Sequence, residues 1–222
     1  MLKNGFSFGG WIDAAVAESL HTNVKSVEKK LSEDDQFMKQ ALLESMKFVG
    51  LSSPNPNVGC VFVKAGKVLT KGATQSYGGL HGERHAISQV SASTLNGSTC
   101  YVMLEPCVHQ GKQPPCTDAL KDVGISNCVF AVEDPDDKVD GKGVTTLKAS
   151  GVMLKSGILR DEAIAWNYPF FINRRYKKIM FAAKWAQSVN GLLADDSGSS
   201  NWISSPTSRS YTHFLRQKYD MF

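Results

Sequence analysis

The sequence lacks the long apolar run that a membrane span requires. No uninterrupted apolar stretch of about 18 residues occurs anywhere in the chain. At the start, an apolar stretch is broken by Asp13 and Glu18, and no convincing signal-peptide core is present. We therefore expect a cytoplasmic protein without membrane contact.

A strong excess of either charge is also missing. Lys and Arg together number 25 and Asp and Glu 21, so the net charge is only +4. No basic stripe interleaved with aromatic residues is present, and the basic patch at 174–178 is short. The composition therefore gives no indication of a polyanionic partner, and we expect no nucleic acid to bind.

Cysteine is sparse and odd in number. The chain has five, which does not suit a disulfide framework, and thiols in a reducing compartment are more often buried, metal-bound or catalytic. The shares of hydrophobic residues (42%) and charged residues (21%) are those of a globular protein. A length of 222 residues fits one full domain with appendages.

The apolar periodicity predicts an α/β domain. A helix is expected from Ser32 to Gly50, followed by a hairpin that turns at Ala65 and Gly66. The elements expected after it are a helix at 81–90, a strand at 99–104, a helix at 116–123, a strand at 128–132, a helix at 144–149, a strand at 152–158 and a helix at 161–171. Strands separated by helices favour parallel pairing at this end of the sheet.

The two ends of the chain give different signals. Residues 1–34 are interpreted as an irregular extension with one short helix around 13–20, and 35–174 as the main domain. From Lys177 a second pattern begins, in which IMFAAKWAQS (179–188) predicts a buried strand. We assign 175–222 to the beginning of a second domain.

Two segments contain candidate metal ligands, LHGERHA (80–86) and LEPCVHQGKQPPC (104–116). His81 and Glu83 open one predicted helix, while Cys107 follows a strand and Cys116 begins the next helix. Two junctions between a strand and the helix after it, side by side at the carboxyl edge of a sheet, would bring an imidazole and two thiolates together. One His and two Cys leave a tetrahedral Zn²⁺ with one open position, as catalytic zinc sites have.

The pattern also provides a proton carrier. Zinc lowers the pKa of bound water from ~16 to ~7, and Glu83 would carry a proton from that water to a departing amine. Zinc deaminases share the signature H-x-E with P-C-x-x-C. Here eight residues, VHQGKQPP, separate the two thiols instead of two.

The other Cys and His residues have plainer interpretations. Three cysteines lie within apolar strands and are expected to pack in the core: Cys60, Cys100 and Cys128. His85 lies one helical turn after His81, and we expect it to support the site rather than to bind metal. The remaining histidines are expected at the surface: His21, His109 and His213.

Residues 35–205 resemble the bifunctional deaminase/reductase of bacterial riboflavin biosynthesis. The shared motifs are PNPNVGCVFV, H-x-E-x-x-A, LEPC-x-H-x-G-K-x-PPC-x-DAL, EDP-x4-GKG and ASGV, in that order. The long loop between the cysteines distinguishes this family from tRNA and free-nucleoside deaminases. The resemblance implies a cytidine-deaminase-like three-layer α/β/α sandwich with a mixed sheet. It also implies Zn²⁺ bound by His81, Cys107 and Cys116.

The same resemblance implies a reaction and its contacts. Glu83 would be the proton shuttle, and the 2-amino group of 2,5-diamino-6-(5-phosphoribosylamino)pyrimidin-4-one would be hydrolysed to give the 5-aminouracil derivative. Asn55 and Lys112 would contact this substrate. Two departures stand out: Thr74 replaces a usual His, and Gly82 replaces a usual Ala. They leave open another pyrimidine or purine substrate, or an inactive zinc-binding relative.

The end of the chain resembles the start of the family's dihydrofolate-reductase-like domain. The resemblance implies that Ala186 and Trp202 contact NADPH and that Ser200 and Arg216 contact the phosphorylated substrate. The family motif S-x-D-G has Asn190 in place of its Asp. Residues 175–222 are too few for that fold, so we expect either a fragment or a truncated form. NADPH is then expected only if a complete reductase domain follows, and a homo-oligomer is plausible.

Overall fold

The computed structural model describes residues 31–136, 139 and 141–220. The helix expected around 13–20 and His21 lie outside this part of the chain, as does most of the expected N-terminal extension. Within it, no helix combines the length and the apolar character that crossing a membrane requires.

All strands of the described chain, and all of its helices except one, lie before Lys177. The elements are α1 (Glu33–Ser45), β1 (Gly59–Lys64), β2 (Lys67–Ala73), α2 (Gly82–Ile87), α3 (Ala92–Leu95), β3 (Thr99–Leu104), α4 (Cys116–Asp122), β4 (Asn127–Val132), α5 (Lys142–Ala149), β5 (Met153–Ser156), α6 (Arg160–Trp166), α7 (Tyr168–Tyr176) and α8 (Pro206–Arg216). The predicted order is confirmed, with two differences in this region. The short helix α3 was not expected, and the helix predicted at 161–171 is divided at Asn167.

The five strands form one mixed sheet in the order β2-β1-β3-β4-β5. Strand β1 is antiparallel to both of its neighbours, whereas β3, β4 and β5 are parallel. The β1–β2 hairpin turns at Ala65 and Gly66, whose φ angles of 49° and 73° are those of a tight hairpin turn. Because β1 opposes both neighbours, β2 and β3 run in the same direction. Their carboxyl ends therefore meet at one edge of the sheet.

Helix α1 covers one face of this sheet. Gly59 lies so close to the helix that an added Cβ would overlap the carbonyl oxygen of Ala41. Val61 is on the same side of β1, because side chains alternate along a strand, and it pairs with Tyr101. The Tyr101 ring packs against Phe37 of α1, with ring centroids 5.2 Å apart.

Helix α2 covers the opposite face. Gly72 of β2 approaches this helix so closely that an added Cβ would overlap backbone atoms of Gly82 and Ala86. Gly72 pairs with Cys60, whose side chain points away from the α1 face because it alternates with Gly59 and Val61. Helices therefore lie on both faces of the sheet, and the predicted three-layer α/β/α arrangement is confirmed.

The three strand cysteines lie in the core, as expected. Cys60, Cys100 and Cys128 are fully buried, and the Sγ atoms of Cys60 and Cys100 are 3.5 Å apart. Burial raises the pKa of the Cys60 thiol. These three side chains therefore act as neutral core residues.

The buried strand predicted at 179–188 is wrong. The structure has no strand there, and large apolar side chains are exposed: 78% of Ile179 and 90% of Phe181. A strand needs a partner for its backbone N–H and C=O groups, and no described strand pairs with this segment. The apolar pattern alone therefore does not produce a strand in this part of the chain.

Helix α8 and the turn after it return to the main domain. Phe214 packs against the core, and the Lys218 ammonium lies 4.1 Å from the centre of the Trp166 ring. Gly50, with a φ of 80°, lies directly against the backbone of Gln217. These contacts attach the end of the described chain to α6 and to the segment that follows α1.

Gly72→Ala tests the close packing of α2 on the sheet. The added methyl group meets backbone rather than a flexible side chain, so we expect a loss of about 1–3 kcal/mol of stability, seen as a melting temperature several degrees lower. Gly111→Ala is the control, because its new methyl group would lie 3.8 Å from His109 at ordinary contact distance. Equal melting temperatures for the two variants would contradict this packing.

Candidate metal centre

Three side chains converge at the edge where β2 and β3 end. His81 immediately precedes α2, Cys107 follows β3, and Cys116 is the first residue of α4. Their ligand atoms lie within 4.8 Å of one another. The His81 Nδ1 is 3.6 Å from the Cys107 Sγ and 3.5 Å from the Cys116 Sγ. The structure thus brings together the three predicted ligands.

These distances suit a tetrahedral zinc ion. With Zn–N near 2.0 Å and Zn–S near 2.3 Å, tetrahedral geometry separates the nitrogen from each sulfur by about 3.5 Å. Thiolate and imidazole are also the donors that zinc prefers. The three ligands leave one of four positions for a water or a substrate. The residues present therefore fit a catalytic zinc ion.

The two cysteines are connected through the backbone. The Cys116 N–H donates to the Cys107 Sγ at 3.4 Å. The Thr117 N–H and hydroxyl both donate to the Cys107 carbonyl at 3.2 Å. The start of α4 and the residue after β3 therefore form one unit that holds both thiols.

Hydrogen bonds within the cluster shift the pKa values of both thiols and of the imidazole. Hydrogen bonds from the Cys116 thiol and the His81 ring lower the pKa of Cys107. The same hydrogen bond to Cys107 raises the pKa of Cys116, and the bond between Cys107 and the imidazole raises the pKa of His81. A thiolate is therefore already favoured at Cys107, as metal binding requires.

Glu83 is a buried carboxyl beside the cluster. It is 4% exposed, and burial, followed by the negative charge of Cys107, raises its pKa. A carboxyl with a raised pKa holds and releases a proton nearer to neutral pH than an exposed one. Glu83 is thus suited to carry a proton at this site.

The loop between the two cysteines (108–115) contacts the segment before His81. The Lys112 ammonium lies 3.7 Å from the centre of the Tyr77 ring, and the Gln113 side chain donates to the Gly78 carbonyl at 3.0 Å. The proposed substrate residue Lys112 is therefore held on an aromatic surface in the wall of this region. Asn55, the other proposed contact, ends a turn in which its N–H donates to the Ser52 carbonyl at 2.9 Å.

His85 does not join the metal cluster. Its Nδ1 lies 3.0 Å from the Ala73 carbonyl and 3.2 Å from the Ala73 nitrogen, and its ring packs edge-on against Phe48. It links α2 to the end of β2, which agrees with the expected supporting role. His213 is exposed, as expected for a surface residue, whereas His109 is partly buried.

The two departures from the family pattern meet at one carbonyl group. The Thr74 N–H donates to the Val58 carbonyl at 2.8 Å, and the Thr74 hydroxyl is 3.4 Å from the same oxygen. A Cβ added to Gly82 would lie 2.7 Å from that oxygen as well. The glycine therefore fits a close approach of β1 to the start of α2.

Sequence reasoning missed Asn167. Its side chain accepts from the Asn57 N–H at 2.8 Å and donates to the Asn57 carbonyl at 3.0 Å, which holds the segment leading into β1. The helix expected at 161–171 had Asn167 in its interior. The signal was Pro169, since proline is favoured in the first turn of a helix and so marks a new start there.

Glu105 was also missed. This carboxylate is 2% exposed and accepts from the backbone N–H groups of Gly141 at 3.1 Å and Val144 at 3.0 Å. It also accepts from Asp134 N–H at 3.4 Å. The available signal was a charged residue between an apolar strand and Cys107. Glu105 fixes the segment after β4 beside the metal cluster.

The residues assigned to NADPH and to the phosphorylated substrate lie on one cavity. It has a volume of about 440 Å³ and is lined by Ala186, Ser200, Trp202 and Arg216, among others. Lys184 and Arg209 add positive charge to its wall, and the Arg209 guanidinium lies 3.9 Å from the centre of the Trp202 ring. None of the lining residues belongs to the metal cluster.

Comparisons with known proteins agree with this geometry. Residues 31–132 match the family described as the cytidine and deoxycytidylate deaminase zinc-binding region. The riboflavin biosynthesis protein RibD of Aquifex aeolicus is 40% identical over 185 residues, which are 83% of this chain and 52% of that protein. RibD of Escherichia coli is 36% identical over 184 residues, with coverages of 83% and 50%.

A solved structure shows the same similarity. The diaminohydroxyphosphoribosylaminopyrimidine deaminase/5-amino-6-(5-phosphoribosylamino)uracil reductase of Thermotoga maritima superposes with a TM-score of 0.77 at 36% identity, covering 84% of this chain and 54% of that one. The chain is a relative of the RibD proteins over about 83% of its length. It spans about half the length of the RibD proteins it matches. The metal cluster described above lies within the RibD-like part of the chain.

A second buried carboxyl near the metal cluster, that of Asp134, makes the stability of the folded protein depend on pH. Asp134 is 8% exposed and accepts from the Asp136 N–H at 2.9 Å. Burial raises its pKa from 3.8 to about 7, outweighing that hydrogen bond, which lowers it. Between these two values the folded protein keeps a proton that the unfolded chain has released. Stability therefore falls as the pH rises through this window.

Asp134→Asn should remove this loss of stability. We expect metal-free Asp134→Asn to be more stable than the parent at pH 8, by on the order of 2–4 kcal/mol, with the advantage disappearing towards pH 4. Urea unfolding at several pH values measures the difference. The control is Asp122→Asn at an exposed position. A difference in stability between the parent and Asp134→Asn that stays constant with pH would contradict the assignment.

Proposed function

We propose that this chain catalyses the zinc-dependent hydrolytic deamination of 2,5-diamino-6-(5-phosphoribosylamino)pyrimidin-4-one to the 5-aminouracil derivative. The observation that carries the proposal is the convergence of His81, Cys107 and Cys116 beside the buried carboxyl of Glu83. The similarity to RibD proteins supports the choice of substrate. The eight-residue loop between the thiols supports it as well.

His81, Cys107 and Cys116 would hold the zinc ion. When bound, zinc supplies a Lewis acid that makes a water molecule nucleophilic near neutral pH. The two connected thiols and the imidazole would hold the ion at the edge of the sheet where β2 and β3 end. This edge is where ligands of open α/β sheets bind.

Glu83 would transfer the proton. Its carboxylate accepts a proton from the attacking water and delivers it to the 2-amino group, which leaves as ammonia. Burial supports both steps, because a raised pKa makes the protonated form accessible during turnover. Since the carboxylate must be free to accept the proton, activity should fall as the pH drops through the pKa of Glu83.

Asn55 and Lys112 would orient the substrate. An amide can pair with the donor and acceptor groups of a pyrimidine edge, and an ammonium suits a phosphate or a ring carbonyl. Lys112 is already positioned over Tyr77 in the wall formed by the loop between the cysteines. The Lys112 side chain is exposed, so its charge is available to a bound substrate.

Residues 175–222 would correspond to the start of a reductase domain. Ala186 and Trp202 would face NADPH, and Ser200 and Arg216 the phosphorylated substrate, on the cavity they share. We assign NADPH-dependent reduction only to a protein in which a complete reductase domain is present. The reaction proposed for the chain itself is deamination.

Glu83→Gln separates proton transfer from metal binding. The amide keeps the size of the side chain but cannot accept the proton, so we expect ammonia release to fall by about 10²–10⁴ while bound zinc stays near one per chain. Ammonia release from the diaminopyrimidine phosphate is compared with release from cytidine at equal concentration. Higher activity on cytidine than on the diaminopyrimidine phosphate would contradict the proposed substrate. Full activity of Glu83→Gln would contradict the proposed role of Glu83 in proton transfer.

Cys107→Ala tests the ligand set. Removing one of three protein ligands should reduce bound zinc from about one per chain to a small fraction, measured by atomic emission after gel filtration. Cys128→Ala is the matched control, because this buried cysteine lies outside the cluster and the variant should retain the metal. Zinc retention by both variants would exclude Cys107 as a ligand.

A further inference from the structure

The proposed zinc ligands come from two separately built units. One is formed by Cys107 and Cys116, which the backbone of α4 connects through the hydrogen bonds to Cys107. The other is the start of α2, with His81 and Glu83. The sheet brings the two units to the same edge, but sheet pairing does not directly fix the distance between the starts of the two helices.

Arg84 spans this gap. Its Nε donates to the Pro114 carbonyl at 2.9 Å and its Nη2 to the Pro115 carbonyl at 2.8 Å. Arg84 lies three residues after His81, and Pro115 directly precedes Cys116 and is the N-cap of α4. One side chain of the imidazole unit thus binds the backbone next to a thiol of the other unit.

The chemistry of this contact suits arginine in particular. Neither Pro114 nor Pro115 has an N–H group, so this part of the loop offers its neighbours only carbonyl acceptors. A guanidinium presents several donors in a rigid fork and can bind two successive carbonyls at once, whereas an ammonium is a point donor on a flexible stem. Arg84 occupies a variable position of the H-x-E-x-x-A motif, so the motif does not account for it.

We propose that Arg84 is a positioning residue that sets the separation between His81 and Cys116 and thereby slows the loss of zinc. The inference rests on the proposed zinc site. It assigns no contact between Arg84 and the substrate or the metal. Residues that orient metal ligands typically change metal affinity or activity 10–100-fold when they are replaced.

The test measures zinc transfer from the loaded full chain to an excess of a chromophoric chelator. Arg84→Met keeps the length of the stem but loses both hydrogen bonds, and we expect zinc to leave about tenfold faster or more. Arg84→Lys can satisfy one carbonyl and should lie between Met and the parent. The control is Arg160→Met, at a half-exposed arginine whose nearest acid, Asp161, is 3.9 Å away. It should release zinc at the parent rate.

Thermal unfolding distinguishes positioning from general stability. For Arg84→Met we expect the rise in melting temperature on zinc loading to shrink, while the zinc-free protein melts close to the zinc-free parent. If Arg84→Met does not fold, the same comparison is made with Arg84→Lys. Zinc release within twofold of the parent in the folded variant overturns this inference alone. A parent that binds no zinc overturns the proposed function together with it.

Discussion

The directions of β2 and β3 are the constraint on which the candidate site depends. Strand β1 is antiparallel to both, so these two strands end at the same edge although a third strand separates them. The chain leaves β2 towards His81 and leaves β3 towards Cys107. If either neighbour of β1 were reversed, the imidazole and the thiols would lie at opposite edges, and no single ion could bind all three.

Close backbone packing maintains this arrangement. Gly59 and Gly72 let helices approach opposite faces of the sheet at distances that no side chain would allow. On the α2 side, Gly82 adds a third close approach, next to the Val58 carbonyl that also binds Thr74. Helix α2 therefore has little freedom to move relative to the strands, which suits a helix whose first residues are proposed to bind metal and transfer protons.

The loop between the cysteines links the site to its surroundings. Its residues contact the segment from Tyr77 to Arg84 through a cation–π contact, a side-chain amide and a guanidinium. These contacts are polar and lie towards the surface, unlike the apolar packing under the sheet. In residues 177–220, by contrast, Phe181 and Trp185 are largely exposed, and α8 is the only helix or strand. The apolar segment of this region has no strand of the described chain to pair with.

Local sequence patterns predicted most of the order of elements, the α/β class, the proposed metal ligands and the burial of the strand cysteines. These follow from short-range patterns: apolar periodicity, turn residues at Ala65 and Gly66, and His and Cys at the ends of strands. Which distant groups meet depends on the tertiary fold. Glu105 accepts from three amides, Arg84 donates to two carbonyls and Asn167 binds Asn57, and each of these partners lies far along the chain. The segment at 179–188 is exposed, and the described part of the chain offers it no partner strand. A local pattern contains no information about such partners, because a buried polar group or a strand is stable only when its hydrogen bonds are completed from elsewhere.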